Sequence, residues 1–315
     1  MRVILVSGGI DSTCAVYHYK KIDKENFYKN NKLVFIDYGQ SYKEKELKSV
    51  KELFEKFDIL KVGEFFSDDS FVPNRNLTLA SIVASKYNPD EIVMGGVKDD
   101  MVEDSNPTAY KEMSDIISKF SRKEIKIVSP FWDKTKGEIV ADFINENDKN
   151  ILYSCVSCYS DGPEHCNDCP ACFRRYVSFV TNGLKADISE KMIKIYLEKI
   201  HTYDAERQAR TFRAVEKKKD ILAYDIDGVL TIETDGYDYS KRTLNEEISN
   251  EIEKRYKDNY IVLYTSRFES DRNVTEKWLK DNKVKYHSLI MNKLPYKSLL
   301  DDKAFNYKRE TKWFQ

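Results

Sequence analysis

MRVILVSGGIDST, Met1 to Thr13, is the stretch whose reading decides the fold. Arg2 to Val6 is a short, apolar, β-branched run that predicts a strand, and Ser7-Gly8-Gly9 ends it abruptly. Cys14-Ala15-Val16-Tyr17 is apolar enough to open a helix directly afterwards. A strand that turns through two glycines into a helix start aims several backbone N–H groups at one spot, where the helix dipole adds partial positive charge. Such a turn suits an anion. Gly8 and Gly9 let backbone approach a phosphate with no Cβ in the way, while Ser7, Ser12 and Thr13 bring hydroxyl donors and Asp11 a carboxylate. The Walker pattern ends in Gly-Lys-Ser/Thr, and no lysine stands here. An ordinary Gly-containing strand-to-helix turn is the plainer alternative.

Outward from this turn, composition bounds the rest. A chain of 315 residues with 41% apolar content suits two domains with modest cores. Lys and Arg number 52 against 53 Asp and Glu, so no chain-wide field argues for nucleic acid, and Lys217-Lys218-Lys219 reads as a solvated helix end. No apolar run approaches the roughly 20 residues that span a bilayer. The chain runs straight into a strand, leaving no signal-peptide pattern at its start. Five of its six cysteines fall between Cys155 and Cys172, which points to a metal site in a reducing compartment rather than to disulfides. A cytoplasmic protein is expected.

Past the turn, Thr13 to Lys21 predicts a helix, Lys32 to Asp37 a strand, and Lys43 to Phe57 a helix through Leu47, Val50, Leu53 and Phe54. Strand, helix, strand, helix argues for a parallel sheet with right-handed crossovers. Ligands of such sheets bind beyond the carboxyl ends of the strands, where the Ser7 loop and the Asp37-Tyr38-Gly39-Gln40 turn both fall. Phe71-Val72-Pro73-Asn74-Arg75-Asn76 precedes a helix over Leu77 to Lys86, and Arg75 offers a planar fork for phosphate or carboxylate. Asn76 both donates and accepts. Glu91 to Met94 predicts another strand, ending in Gly95-Gly96.

Cys158, Cys166, Cys169 and Cys172 follow C-x7-C-x2-C-x2-C spacing. Four thiolates so placed close tetrahedrally on Zn²⁺, and with no position left open such a site is structural. An iron–sulfur cluster is the competing occupant, and Cys155 stands by as a substitute ligand. Cys14, on the first helix, is expected in the core.

The run SGGIDST resembles the pyrophosphate-binding (PP) loop of the N-type ATP pyrophosphatases, which adenylate a carboxylate or amide oxygen. With IDYGQSYKEKE, FVPNRN, GGVKDD and Ser129-Pro130-Phe131-Trp132 before Lys136-Gly137-Glu138, the chain resembles the 7-cyano-7-deazaguanine synthase family over Met1 to about Gly183. The resemblance implies an adenine nucleotide alpha hydrolase-like domain with a zinc knuckle beside the substrate pocket. ATP would lie on Ser7, Gly8, Gly9, Asp11, Ser12 and Thr13 with Mg²⁺ neutralising its charge, and Arg75, Asn76 and Lys136 would meet substrate or phosphate. There is one departure. The family's Tyr-Pro-Asp-Cys-Arg element, which helps to read the deazaguanine base, corresponds here to Ser105-Asn106-Pro107-Thr108-Ala109-Tyr110, without the acid or the arginine. Thr108 cannot supply the bidentate acceptor that adjacent ring N–H donors require.

Ala186 to Lys219 is charged and has no Pro or Gly break, predicting a helical stretch with the domain boundary inside it. A second domain starts at Asp220, where Ile221 to Tyr224 predicts a strand ending in Asp225-Ile226-Asp227-Gly228. Two carboxylates two apart at a strand end can share one Mg²⁺, one of them also attacking phosphorus. Tyr260 to Tyr264 predicts a strand ending in Thr265-Ser266-Arg267, Asn273 to Asn282 a helix, and Leu289 to Lys293 leads on to Asp301-Asp302. This order resembles the haloacid dehalogenase (HAD) superfamily of phosphatases. The resemblance implies Asp225 as nucleophile, Asp227 as general acid/base, Thr265 and Lys293 on the phosphoryl group with Lys297 as a substitute for Lys293, and Asp301 and Asp302 on the metal. The spacing leaves little room for a cap.

The expected architecture is therefore α/β throughout: a parallel-sheet PP-loop domain with a four-cysteine zinc knuckle over 1–184, a helical linker over 185–219, and a small HAD-like Rossmannoid domain over 220–315. The expected activity is ATP-dependent adenylation of a 7-carboxy-7-deazaguanine-type carboxylate and its transfer to ammonia, as in queuosine biosynthesis, beside a Mg²⁺-dependent phosphatase. Two alternatives stand. One delivers the acyl group to an amine of a protein or nucleic acid, in phage DNA modification or antiviral defence. The other is a nucleotide-binding sensor without turnover. No membrane partner is expected, and a homodimer is compatible with the chain.

Overall fold

The computed structural model describes residues 1–64, 72–100, 102–233, 236–294 and 303. Its chain divides into two compact units, Met1–Ser189 and Glu190–Gln315. In the first unit the strands are β1 (Arg2–Leu5), β2 (Asn31–Asp37), β3 (Asp58–Lys61), β4 (Glu91–Val93) and β5 (Lys126–Val128). The helices are α1 (Ile10–Asp23), α2 (Phe27–Asn30), α3 (Lys43–Leu53), α4 (Arg75–Tyr87), α5 (Pro107–Ser121), α6 (Lys136–Glu146), α7 (Asn150–Tyr153) and α8 (Pro170–Val180).

All five strands are parallel in the order β3-β2-β1-β4-β5, with Arg2 opposite Asn31 on one side and Glu91 on the other. The order reverses between β1 and β4, and a crevice opens beyond the strand ends at such a switch point. Helices cover both faces, which is why the central strands are apolar on both sides. Ile4, Phe35 and Val93 pack with Val50, Ile139 and Phe143 on one face. Val3, Val34 and Ile92 pack with Leu79, Val83 and Met113 on the other.

Residues 185–219, expected to be helical, are not one continuous helix. They hold α9 (Glu190–Glu198) and α10 (Ala205–Val215), separated by a 3₁₀ turn at Ile200–Thr202. Neither Pro nor Gly makes the break. Tyr203 is extended, and the Asp204 carboxylate accepts from the Arg207 N–H at 2.8 Å, an N-cap that starts a new helix. Ile193, Leu197, Ala214 and Val215 are buried.

In the second unit β6 (Ile221–Tyr224), β7 (Tyr260–Tyr264) and β8 (Ser288–Ile290) form a parallel three-stranded sheet in that order. α11 (Glu246–Arg255) and α12 (Arg272–Asp281) cover it, with Ile248, Ile252, Trp278 and Leu279 packed against Ile261 and Leu263. Among the described residues no helix is long and apolar enough to cross a membrane.

Candidate active sites and cysteine centre

The loop after β1 is held from beneath. Gly8 takes φ +70°, and a Cβ there would lie 2.6 Å from the Ser49 hydroxyl and 3.0 Å from the Glu46 carbonyl. The Ser49 hydroxyl is within hydrogen-bonding distance of both the Gly8 carbonyl (3.1 Å) and the Ser154 carbonyl (2.7 Å), and the Val156 N–H donates to the same Gly8 oxygen at 2.8 Å. Only a glycine lets the first two turns of α3 and the 154–156 segment close on the loop this tightly. The Ser12 hydroxyl donates to the Gly9 carbonyl and accepts from the Ser7 N–H, which sets the curl of the turn.

Above the loop lies an open cavity of about 290 Å³. Ser7, Gly9, Asp11, Ser12, Arg75, Asn76 and Lys136 all line it, so seven sequence-expected site residues meet in one place. Gly8 and Thr13 are not on its wall, Thr13 being fully buried. Lys136, at the start of α6, donates to the Asp11 carboxylate at 2.5 Å. The other Asp11 oxygen is buried without a hydrogen-bond partner, which fits a cation or a donor arriving with a bound nucleotide. Asn76 donates to the Asp104 carbonyl at 3.1 Å and holds the segment before α5 against α4. Phe71, in the run before Arg75, lies outside the described residues.

The opposite wall carries residues that sequence reasoning missed. Arg174 of α8 pairs with Asp100, whose second oxygen accepts from the Val97 N–H and the Ser105 hydroxyl, each at 3.2 Å. Glu46 of α3 faces the cavity and accepts from Gln40 at 3.0 Å. Burial lifts its carboxyl to about 7, with Gln40, Arg75 and Lys45 opposing. Tyr38, Tyr42 and Tyr159 complete this side. The YGQSYKEKE run hinted at Glu46 only through helical spacing, which cannot say which charged side chain turns inward.

The sulfurs of Cys158, Cys166, Cys169 and Cys172 lie within 4.8 Å of one another. A tetrahedral zinc with ~2.3 Å bonds sets sulfurs ~3.8 Å apart, so the four fit one ion, and one pair already stands at 4.0 Å. Backbone N–H groups support the sulfurs: Cys166 and Ser160 donate to Cys158, Asp168 to Cys166, and Cys172 to Cys169, the N-cap of α8. The Cys172 thiol, with the Cys172 and Tyr159 N–H groups, draws the Cys169 thiol down to about 4, and Cys172 is raised in return. Burial raises Cys158, yet the Cys166 and Ser160 donors outweigh it and leave it lowered. Cys158 and Cys169, so supplied with donors, are drawn toward the thiolate form that a zinc ligand takes. Cys155 stands apart, buried on the Ile151 carbonyl at 3.5 Å, and burial lifts its thiol to about 11. Cys14 is buried in the core of the first unit.

The buried Lys45 ammonium donates to the Ser160 carbonyl and so ties α3 to this centre, which shares the 154–158 segment with the phosphate loop. Cys166→Ser or Cys169→Ser is therefore expected to release bound zinc, lower the soluble yield and weaken ATP binding together, whereas Cys155→Ser changes none of them. Elemental analysis and nucleotide titration of the purified variants check this. A chain without zinc but with visible iron–sulfur absorbance overturns it.

In the second unit Asp225 follows β6 and accepts from its neighbour's N–H at 2.8 Å, while Lys293 donates to its other oxygen. Thr265 follows β7, is fully buried, and accepts from the Arg267 N–H at 3.3 Å. Asp227 has other protein partners than Asp225. Arg267, almost completely buried, binds both Asp227 oxygens at 2.7 and 2.8 Å, and Arg242 stands 3.6 Å away. A planar guanidinium matches a carboxylate through both oxygens. Asp225 has the more exposed carboxylate of the two. Asp301, Asp302 and Lys297, which the sequence places on the metal and phosphoryl group, lie outside the described residues.

Residues 1–69 and 61–183 match the family described as queuosine biosynthesis protein QueC. The 7-cyano-7-deazaguanine synthase 1 of Sulfurisphaera tokodaii is 26% identical over 206 residues, covering 58% of this chain and 94% of that protein. The synthase of Methanocaldococcus jannaschii is 26% identical over 227 residues, covering 58% and 96%. The Buchnera aphidicola synthase is 29% identical over 228 residues, covering 61% and 95%. The family match falls on the first unit.

Proposed function

The chain belongs to the queuosine biosynthesis QueC family through residues 1–183, and on that premise we propose that its first unit is an ATP-dependent synthase acting on a 7-carboxy-7-deazaguanine. The observation that carries this reading is the single cavity joining the Ser7–Ser12 loop to Lys136, Arg75 and Arg174. The loop's N–H groups and hydroxyls hold the pyrophosphate end of ATP, and Lys136 stands beside it. A substrate carboxylate oxygen attacks the α-phosphorus and pyrophosphate leaves. Ammonia then adds to the acyl carbon, loses a proton and expels AMP, giving the amide. In a second round the amide oxygen attacks the α-phosphorus of another ATP. Loss of the remaining N–H protons with AMP yields the nitrile.

Protein catalysis here is positioning and charge stabilisation. Zn²⁺ on the four cysteines is structural. Mg²⁺ would supply charge neutralisation on ATP, and Asp11, with one oxygen unpartnered, is a residue that would hold it. The full chain given ATP, 7-carboxy-7-deazaguanine and ammonium is expected to form AMP and pyrophosphate only when the carboxylate is present, with amide preceding nitrile by mass spectrometry. Slow adenylate turnover with ammonium would favour another amine, on a protein or nucleic acid. Cleavage to ADP without any deazaguanine overturns the reading.

For the second unit the proposal is a HAD-like phosphohydrolase. Asp225 is its nucleophile beside Lys293, and Asp227, held by Arg267, is its general acid/base. Hydrolysis splits into attack of the Asp225 carboxylate on phosphorus, expelling an alkoxide that Asp227 protonates, and attack on the aspartyl phosphate by water, whose proton returns to Asp227 as phosphate leaves and Asp225 is freed.

A further inference from the structure

We propose that Glu46 reads the N–H donor edge of the deazaguanine ring, in place of the acidic residue that this chain lacks beside Pro107. The inference rests on the synthase reading of the first unit. Three carboxylates line the cavity among the described residues: Asp11, Glu46 and Asp100. Asp11 belongs to the phosphate loop and holds Lys136. Asp100 is fully engaged, one oxygen on Arg174 and the other accepting from the Val97 N–H and the Ser105 hydroxyl. Glu46 takes one hydrogen bond, from Gln40 to a single oxygen, and its other oxygen has no hydrogen bond among the described residues. Thr108, the residue at the family's acidic position, is exposed and does not line the cavity.

The surroundings suit a flat, guanine-like ring. Tyr38, Tyr42 and Tyr159 form an aromatic wall, with the Tyr42 and Tyr159 rings 5.2 Å apart. Arg75 lines the same cavity and forms no ion pair among the described residues, so a donor and an acceptor are both available. The edge of a deazaguanine presents one carbonyl acceptor followed by two adjacent N–H donors. Arg75 complements the carbonyl and the Glu46 carboxylate complements the two donors, a charge-assisted, bidentate match.

The match requires the ionised carboxylate. The groups that face Glu46 are Gln40 and Tyr38 after β2, Tyr42 and Lys45 at the start of α3, and Arg75 of α4. Burial holds the Glu46 carboxyl at about 7 in the free protein. Below that pH it is protonated and loses the paired acceptors, so KM for the base rises as pH falls through about 7.

The test measures pyrophosphate exchange into ATP by the full chain, driven by 7-carboxy-7-deazaguanine or by the analogue lacking the 2-amino group. The natural protein is expected to show a KM roughly 30-fold higher for the analogue, since a charge-assisted hydrogen bond is lost. Glu46→Gln is expected to raise KM for the parent base by roughly 30-fold and to bring parent and analogue within about threefold of each other. It also flattens the pH dependence and leaves KM for ATP within about twofold. A Glu46→Gln protein that keeps the parent-to-analogue ratio overturns the proposal. If that variant is insoluble, indifference of the natural protein to the 2-amino group overturns it equally. Absence of any base-dependent exchange in the natural protein instead brings down the synthase reading itself.

Discussion

Gly8→Ala is expected to cut base-dependent pyrophosphate release by at least ~100-fold, because the phosphate loop then cannot close on α3. An L-residue at φ +70° carries a penalty of about 1–2 kcal/mol by itself. The larger effect is steric. The new Cβ would overlap the Ser49 hydroxyl at 2.6 Å and its Cβ at 2.8 Å, and Ser49 is pinned between the Gly8 and Ser154 carbonyls. The loop has to yield, and a displacement of about 1 Å in a positioning site costs on the order of 10²-fold in rate. Gly183→Ala is the control. It also stands at positive φ (+71°), yet an added Cβ meets nothing within 4 Å. Its stability should fall by about 1 kcal/mol with pyrophosphate release retained, as thermal melts and product assays would show. Unchanged release in Gly8→Ala would remove the loop from the mechanism.

Asp225→Asn should abolish Mg²⁺-dependent hydrolysis of an aryl phosphate by the full chain, a loss of ~10³-fold or more, while pyrophosphate release by the first unit is retained. An amide is a far poorer nucleophile than a carboxylate, and Asp227, the nearest acid in sequence, is held on both oxygens by Arg267. Asp225 is the informative position. It is half-buried and its ion pair with Lys293 is open on one side. Asp227→Asn would leave the buried Arg267 guanidinium unpaired, a loss of about 3–5 kcal/mol that would confuse misfolding with lost chemistry. Hydrolysis surviving in Asp225→Asn would rule out that residue as nucleophile.

The sequence by itself determined the local features whose causes are local. MRVILVSGGIDST specified strand, loop and helix, since two glycines and a β-branched run act over a few residues. Period-2 and period-3.6 patterning found β2, α4 and β7 within a residue or two. The Cys158-to-Cys172 spacing named a four-sulfur cluster, because a knuckle forms within one short segment. β3 and β5 went unread: each is a short strand of mixed polarity, and only pairing with β2 and β4 holds it.

The tertiary structure alone decided which charged groups are already engaged and which are left for a ligand. Nothing in their spacing links Asp100 to Arg174, Asp227 to Arg267 or Lys136 to Asp11. Chain crossovers bring those partners together from 40 to 125 residues apart. Glu46 is one acid in a run of charged helix residues until the sheet order carries α3 and α4 to one cavity and burial isolates its carboxyl. Helical periodicity states which residues share a face. What that face meets depends on long-range packing, and the packing is what selects Glu46.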